Sequence, residues 1–340
     1  MELCSVSGST CPEEAGTASG REGRMERLST AGLPVMGRTA AWNAIYSSRM
    51  SNVEFATTDQ NRFDAELRIG QIGPVKLARL SVDCNYSAER ARRHIVRNAP
   101  RLYNFLLQAQ GSSTFHHCGH EARLSEGDIV LVDTGLPHHF VTDDVSTTIM
   151  VRVPSEVLRE YLPTPEQFCG LQLGRAIGLT GTLAAMVQSL SERVEPGFSG
   201  YEGRVARYLL EMISMSYTMG FESVSTGSAT LWQRRNEIVR YVEDNLRDPE
   251  LTPASIAAAL RLSPRYLRTV FSISGEKVSA YILRRRLEEC ARQMRNRAWN
   301  GHTLTEIAFS WGFNSAAHFT RCFRDQFGAA PRDYRRTALD

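Results

Sequence analysis

Leu304-Thr305-Glu306-Ile307-Ala308-Phe309-Ser310-Trp311-Gly312-Phe313, followed by Asn314-Ser315 and then Ala316-Ala317-His318-Phe319-Thr320-Arg321-Cys322-Phe323, holds a helix start, a tight turn and a second helix. The same order occurs once before it. Leu251-Thr252-Pro253-Ala254-Ser255-Ile256-Ala257-Ala258-Ala259-Leu260 leads through Arg261-Leu262-Ser263-Pro264 into Arg265-Tyr266-Leu267-Arg268-Thr269-Val270-Phe271. Ile256-Ala257 and Ile307-Ala308 correspond at an offset of 51 and Leu267 and Phe319 at 52, so one extra residue enters at the second turn. Self-similarity at a fixed period marks a repeated supersecondary unit.

Each copy meets the physical requirements of a helix-turn-helix. Thr252 and Thr305 are suited to N-cap positions, and Pro253 stands where a helix tolerates proline, at its first residue. Alanine at 257 and 308 leaves room for a crossing helix. Gly312 can supply a left-handed turn residue, and Ser263 or Asn314 can cap the helix that follows. Leu267, Val270 and Phe271, and then Phe319, Cys322 and Phe323, share one helical face that packs inward. Arg265, Arg268 and Thr269 remain outside in the first copy, and Ala316, Ala317, His318, Thr320 and Arg321 in the second. Arginine pairs bidentately with the acceptor edge of guanine, worth roughly 1–3 kcal/mol of discrimination. On one isolated helix such charges would read equally well as a solvated face; two matched copies favour a nucleic-acid surface.

Charge follows the same division. Residues 231–340 hold 19 lysines and arginines against 12 aspartates and glutamates, a net of +7, whereas the whole chain is +3 and the preceding 230 residues therefore −4. A positive segment joined to a mildly acidic one suggests a nucleic-acid module attached to a different kind of domain. Gly220 to Thr230 is polar, rich in Gly, Ser and Thr, and without periodicity, as a linker would be. The expected organisation is a disordered 1–25, a sensor domain at 26–220, a linker at 221–230 and a DNA-binding domain at 231–340.

The run from Ile307 to Phe323, continued by Phe327-Gly328, Pro331 and Tyr334-Arg335, resembles the C-terminal motif of the AraC/XylS family of bacterial transcription regulators. The resemblance implies two helix-turn-helix units joined by one long helix, here about Val278–Met294, placing two reading helices in successive major grooves about 34 Å apart. By position it implies DNA contact by Arg265, Arg268 and Thr269 in the first reading helix, and by Ser315, His318, Thr320 and Arg321 in the second. Ala316 and Ala317 stand where relatives often carry longer polar side chains, which shifts the second helix toward backbone contacts or thymine methyl groups. The resemblance further implies activation through RNA polymerase at double-stranded promoter DNA.

Residues 54–153 read as strands, with Pro74–Val82, Leu102–Ala109, Asp128–Asp133, His139–Val141 and Thr147–Val153 as short β-rich runs between turn residues. Regular short strands suggest a sandwich or barrel. The spacing of Gly127, Asp133, Gly135 and His138 resembles a cupin jelly-roll motif, and the stretch from Leu28 to Pro137 resembles the effector-binding half of an AraC/XylS subgroup. The expected fold class is thus multi-domain: a β cupin-like barrel with an α-helical dimerisation segment, then an all-α double helix-turn-helix. Such a barrel would enclose a small organic effector, for which Tyr103, Phe105, Leu107, Asp133 and His138 are candidates, subject to register, since one residue of slip exchanges inward and outward sets. A cupin-type metal enzyme is the competing reading, because His116, His117, His120, Glu121 and His138 offer ligand types for iron, manganese or zinc. Their spacing argues against it: adjacent His116 and His117 point to opposite faces of a strand. No metal, cofactor or catalytic residue is expected.

Thr180–Val194 and Tyr201–Tyr217 have amphipathic periodicity, and by the resemblance Leu183, Leu190, Leu209 and Met212 would form the seam of a homodimer. No run of eighteen apolar residues is present, so no membrane span is expected. The first 25 residues have no apolar core like that of a signal peptide. Seven scattered cysteines without a Cys-x-x-Cys pair fit reduced thiols, and the expected location is the cytoplasm. A ligand-independent regulator, and a repair protein joining this module to a reactive cysteine, are the remaining alternatives.

Overall fold

The computed structural model describes residues 26–95, 101–192, 200–222, 230–272 and 276–339. The expected disordered segment 1–25 and most of the expected linker lie outside these residues.

The chain begins with β1 (Glu26–Ser29), α1 (Arg38–Arg49), β2 (Glu54–Ala56), β3 (Ala65–Ile72), β4 (Val75–Val82) and β5 (Tyr86–Arg90). It continues through β6 (Leu102–Gln110), β7 (Ser113–His117), β8 (His120–Leu124), β9 (Ile129–Asp133), β10 (His138–Thr142) and β11 (Ser146–Pro154). Next come α2 (Ser155–Tyr161), β12 (Gln172–Leu173), α3 (Thr180–Glu192) and α4 (Glu202–Glu222). The strands form two antiparallel sheets, ordered β1-β3-β4-β11-β6-β9-β12 and β2-β5-β10-β7-β8. This is the expected jelly-roll arrangement, and all five strands quoted from the sequence are present within a few residues of their expected bounds. Helix α1 was not anticipated; it contributes Trp42 and Tyr46, four residues apart on one face, to the space between the sheets.

The seven-stranded sheet is buried on both faces. One face meets the five-stranded sheet through a core that includes Phe55, Leu80, Tyr86, Leu106, Phe115, Phe140 and Met150. The other lies under α3 and α4, where Phe105, Leu107, Ile149 and Val151 pack with Leu183, Val187, Leu209 and Tyr217. Burial on both sides erases the polar–apolar alternation by which a strand's facing is read.

The remaining helices are α5 (Thr230–Asp244), α6 (Pro253–Ala259), α7 (Pro264–Ser272), α8 (Val278–Arg295), α9 (Leu304–Ser310), α10 (Ala316–Phe327) and α11 (Pro331–Leu339). One core joins them: Leu267, Val270 and Phe271 from the first copy and Ile307, Phe319 and Phe323 from the second meet Tyr281, Leu287, Ala291 and Met294 of α8. Helix α4 runs to Glu222 and α5 begins at Thr230, on either side of the segment expected as a linker.

Candidate nucleic-acid interface and effector cavity

Local chemistry sets the ends of each reading unit. Thr252 caps α6, its hydroxyl accepting from the Ser255 N–H at 3.1 Å, with Pro253 at the first helical position. In the second copy the cap is Thr303, not Thr305: its hydroxyl accepts from the Glu306 N–H at 3.1 Å, and Glu306 answers by accepting from the Thr303 N–H at 2.7 Å. Threonine with glutamate three residues on is a capping box, and it displaces the helix start by two residues from the expected site. The turns are equivalent: Leu262 N–H donates to Ala257 at 2.7 Å and Phe313 N–H to Ala308 at 3.2 Å. The left-handed residue is Arg261 in one (φ 54°) and Gly312 in the other (φ 75°). Ser263 and Ser315 then cap α7 and α10, accepting from Tyr266 and His318 N–H groups. Asn314, expected as a cap, is instead the extra residue of the second turn.

The outward set of each reading helix is exposed as expected: Arg265, Arg268 and Thr269 on α7, and His318, Thr320 and Arg321 on α10. Ser315 is exposed too, with its hydroxyl engaged as a cap. Several donors rest on their own helix, Arg268 Nε on the Pro264 carbonyl at 3.2 Å, Thr269 on Arg265 at 3.1 Å and Thr320 on Ala316 at 2.8 Å. His318 Nε2 lies 3.3 Å from Cys322 Sγ. Tyr266, exposed between Arg265 and Arg268, belongs to the same face and was missed because an aromatic residue at helical spacing reads first as core.

Helix α8 fixes the two units relative to each other. Arg286 donates from Nε to the Leu246 carbonyl at 2.9 Å, from Nη1 to Gly312 at 3.0 Å and from Nη2 to Asp248 at 2.5 Å. One guanidinium thus ties the approach to the first unit to the turn of the second. An added Cβ at Gly312 would lie 2.8 Å from Arg286 Nη2.

Between the sheets lies a cavity of about 50 Å³ lined by Tyr46, Phe55, Tyr86, Phe115, Phe140 and His138 among others, with Ser51, Asn104 and Thr148 among its polar residues. His138 stacks on Phe115 with ring centroids 5.7 Å apart, and its Nδ1 is 3.1 Å from the Leu136 carbonyl. Burial, together with neighbouring His117, lowers its pKa to about 3, so the ring is neutral and Nε2 is its acceptor edge.

The sequence candidates divide around this cavity. His138 lines it. Tyr103, Phe105 and Leu107 are on the opposite face of β6, packed under α4 (Phe105 and Tyr217 centroids 5.6 Å apart), while Asn104 and Leu106 face the cavity. This is the one-residue register exchange, a correction that doubly buried strands make hard to foresee. Asp133 does not line the cavity either. It pairs with Arg101 and accepts from the Gly135 N–H at 2.9 Å. Among the described residues no group of three or more His, Cys, Asp or Glu side chains has the geometry to hold a metal ion.

Asp133 belongs to a chain of buried charges connecting the β-rich half to α8. Arg101 reaches Glu276 at 3.6 Å; Glu276 bonds Arg284 at 2.9 Å; Arg284 bonds Glu288 at 2.9 Å and approaches Glu166 at 3.7 Å. Arg159 pairs with Glu166 and lies 3.4 Å from Glu288. Burial alone would raise the Glu288 carboxyl, but Arg284, Arg285 and Arg159 hold it down at about 2. At the edge, Arg295 of α8 pairs with Glu156 of α2 at 2.9 Å.

The expected dimer seam also turns inward: Leu183, Leu190 and Leu209 are buried in the core under α3 and α4, and Met212 packs against it. The large apolar residues facing solvent on α4 are Tyr208, Met215 and Met219, with Tyr201 exposed just before its first residue.

Comparison with known proteins agrees with this architecture. A family model described as an AraC-binding-like domain matches residues 42–216, more than half the chain, and one described as a helix-turn-helix domain matches 256–337. The transcriptional activator NphR of Rhodococcus sp. is 26% identical over 264 residues, covering 75% of this chain and 78% of that protein. A XylDLEGF operon transcriptional activator of Pseudomonas putida is 25% identical over 246 residues, covering 68% of this chain and 71% of that protein. The crystal structure of the AraC-like transcriptional activator CuxR aligns with a TM-score of 0.51 at 23% identity, covering 84% of this chain and 100% of that one, and so shares the fold. Helical units and β-rich half lead to one assignment: the chain belongs to the AraC/XylS family of DNA-binding transcriptional regulators.

Proposed function

We propose that this protein is an effector-controlled transcriptional activator that reads promoter DNA with α7 and α10 and recruits RNA polymerase there. The observation that carries the reading is the pair of exposed, polar helix faces mounted on one shared helix, α8. Arg265, Arg268 and Thr269 read one major groove; His318, Thr320 and Arg321 read the next, with Ser315 and the helix N-terminus aimed at the phosphate backbone. Activation is taken from the names of the related proteins. The working units are a sensor at about 26–220 and a reader at about 231–340, and the cytoplasm is where such a reader meets DNA.

An effector in the barrel would act through the charge chain from Asp133 to Glu288. Control requires an effector that binds differently to two arrangements of the halves, and a buried network with several partners per charge is suited to having two. A second copy would dock along α4: a two-fold axis at Tyr208 sets Tyr201 against Met215 of the other copy, matching apolar to apolar.

The test is footprinting of the full chain on its own upstream region in about 0.15 M salt, where weak nonspecific contacts are screened. Two protected major grooves about one turn apart on one face are expected. Equal binding to scrambled DNA would refute the reading.

A further inference from the structure

The turn between β7 and β8 is made by Cys118 and Gly119, both with positive φ, 53° and 78°. Two-residue turns of this kind favour asparagine, aspartate and glycine, and a cysteine in the left-handed region is unusual. The fold holds this one against a second cysteine. Gly170 packs so closely on the turn that an added Cβ would lie 2.3 Å from the His117 carbonyl oxygen. Its neighbour Cys169 is fixed in place by a bridge to Leu131, with the Gly170 N–H donating to the Leu131 carbonyl at 2.9 Å. Both cysteines belong to the core under α3 and α4. The Cys169 thiol is within hydrogen-bond reach of the Cys118 sulfur and of the Pro165 carbonyl, the latter at 3.5 Å.

The two thiols differ in what reaches them. Cys169 is 2% exposed, whereas Cys118, at 7%, lines an open groove of about 650 Å³ together with His116, His120, Glu121 and His139. A small solute from solvent therefore meets Cys118 first. The hydrogen bond from Cys169, then His117 and Arg235, hold the Cys118 thiol below the ordinary range despite its burial, while burial pushes Cys169 up. The other buried cysteines lack this arrangement: Cys84 Sγ lies 3.6 Å from the Thr57 hydroxyl and Cys290 Sγ 3.9 Å from the Ile307 carbonyl, and burial raises both.

We propose that Cys118 and Cys169 form a peroxide-reactive thiol pair that closes to a disulfide, a redox input to the regulator separate from the effector. The Cys118 thiolate attacks one oxygen of hydrogen peroxide; an S–O bond forms, the O–O bond breaks and hydroxide leaves, so the sulfur is oxidised to a sulfenic acid and the peroxide reduced. The Cys169 sulfur then attacks the Cys118 sulfur. An S–S bond forms, the S–O bond breaks, and the Cys169 proton leaves with the hydroxyl as water. Cellular thiols reverse the step, as suits a disulfide in a reducing compartment. Closure touches the contacts between the halves at two points. Cys169 follows Glu166 by three residues, and Glu166 pairs with Arg159 and approaches Arg284 of α8 at 3.7 Å. Arg235 of α5, its guanidinium 5.4 Å from the Phe271 ring centroid, loses the thiolate charge it faces.

The experiment treats the reduced full chain with one equivalent of hydrogen peroxide and maps its peptides by mass spectrometry without reductant. A Cys118–Cys169 linked peptide should form about tenfold or more faster than Cys84 or Cys290 is oxidised, and dithiothreitol should remove it. In Cys169→Ser, dimedone should label Cys118 as the trapped sulfenic acid. Affinity for DNA of the protein's own upstream region should change several-fold on oxidation, return with dithiothreitol, and stay constant in Cys169→Ser. The mapping of the unaltered chain needs no variant, so it decides the matter even if Cys169→Ser does not fold. Free thiols at 118 and 169 while other cysteines oxidise, or a linkage between a different pair, would overturn the proposal; a Cys118–Cys169 link with unchanged DNA affinity would overturn its regulatory part. Failure of the reduced protein to prefer any DNA would refute the promoter-reading function and leave the thiol pair standing on its map.

Discussion

The two helix-turn-helix copies make the same left-handed turn with different residues, and the difference shows what the glycine is for. Arg261 occupies the position exposed to solvent, with φ 54°. Its counterpart Gly312, φ 75°, is buried against Arg286 and the Leu246 carbonyl, which an added Cβ would meet at 2.8 and 3.0 Å. A side chain in the left-handed region costs roughly 1–2 kcal/mol, which the first copy bears. Glycine in the second is therefore a packing requirement imposed by α8, and the turn alone does not demand it.

The comparison can be broken at its strongest point first. Arg286→Met strands the carbonyls of Leu246, Asp248 and Gly312, at roughly 1–3 kcal/mol for each buried group left unpaired, so denaturant unfolding of the full chain should show a loss of about 3 kcal/mol or more. A loss under about 1 kcal/mol would mean that α8 does not clamp the units. Gly312→Ala comes next, at about 2 kcal/mol from backbone strain and displacement of Arg286. Arg261→Ala at the equivalent position should be near neutral, and equal effects in the same unfolding assay would erase the distinction. On DNA, Arg268→Ala and Arg321→Ala should each cost roughly 1–3 kcal/mol of discrimination, read as relaxed preference in a mutated-operator binding series. With Ala316 and Ala317 beside it, the second helix has fewer long polar neighbours to compensate Arg321. Removing the caps with Thr252→Ala or Thr303→Ala should each lower stability by about 1 kcal/mol. Smallest of all, Arg261→Gly should stabilise by about 0.5 kcal/mol, relief of strain exceeding the added freedom of the unfolded chain; destabilisation in the same assay would show that Arg261 earns its place by contact.

The helical half was legible because its signals are local. Pro253 and Thr252 each specify a backbone position without knowledge of the rest of the fold, and even the misplaced second cap was recoverable from Thr303 and Glu306 three residues apart. The barrel was legible only as strands. Tyr103 to Gln108 is buried residue after residue, so the pattern does not say that Asn104 and Leu106 face the cavity while Tyr103 and Phe105 face α4. Asp133 looked like a pocket residue because its partner Arg101 is 32 residues away and the next member, Glu276, more than a hundred beyond that. The run Arg284-Arg285-Arg286 with Glu288-Glu289 likewise reads as a solvated helix face; only tertiary packing makes it the most heavily buried charge cluster on α8.

Mounting both readers on one continuous helix leaves their phasing without slack. One residue inserted within α8 would advance the second reader by about 1.5 Å and swing it about 100° around the axis, off the duplex altogether. On the proposed reading, promoters of this protein are held to a single box-to-box interval, and evolutionary retargeting proceeds by exchanging side chains on α7 and α10, not by changing the length of the rod between them.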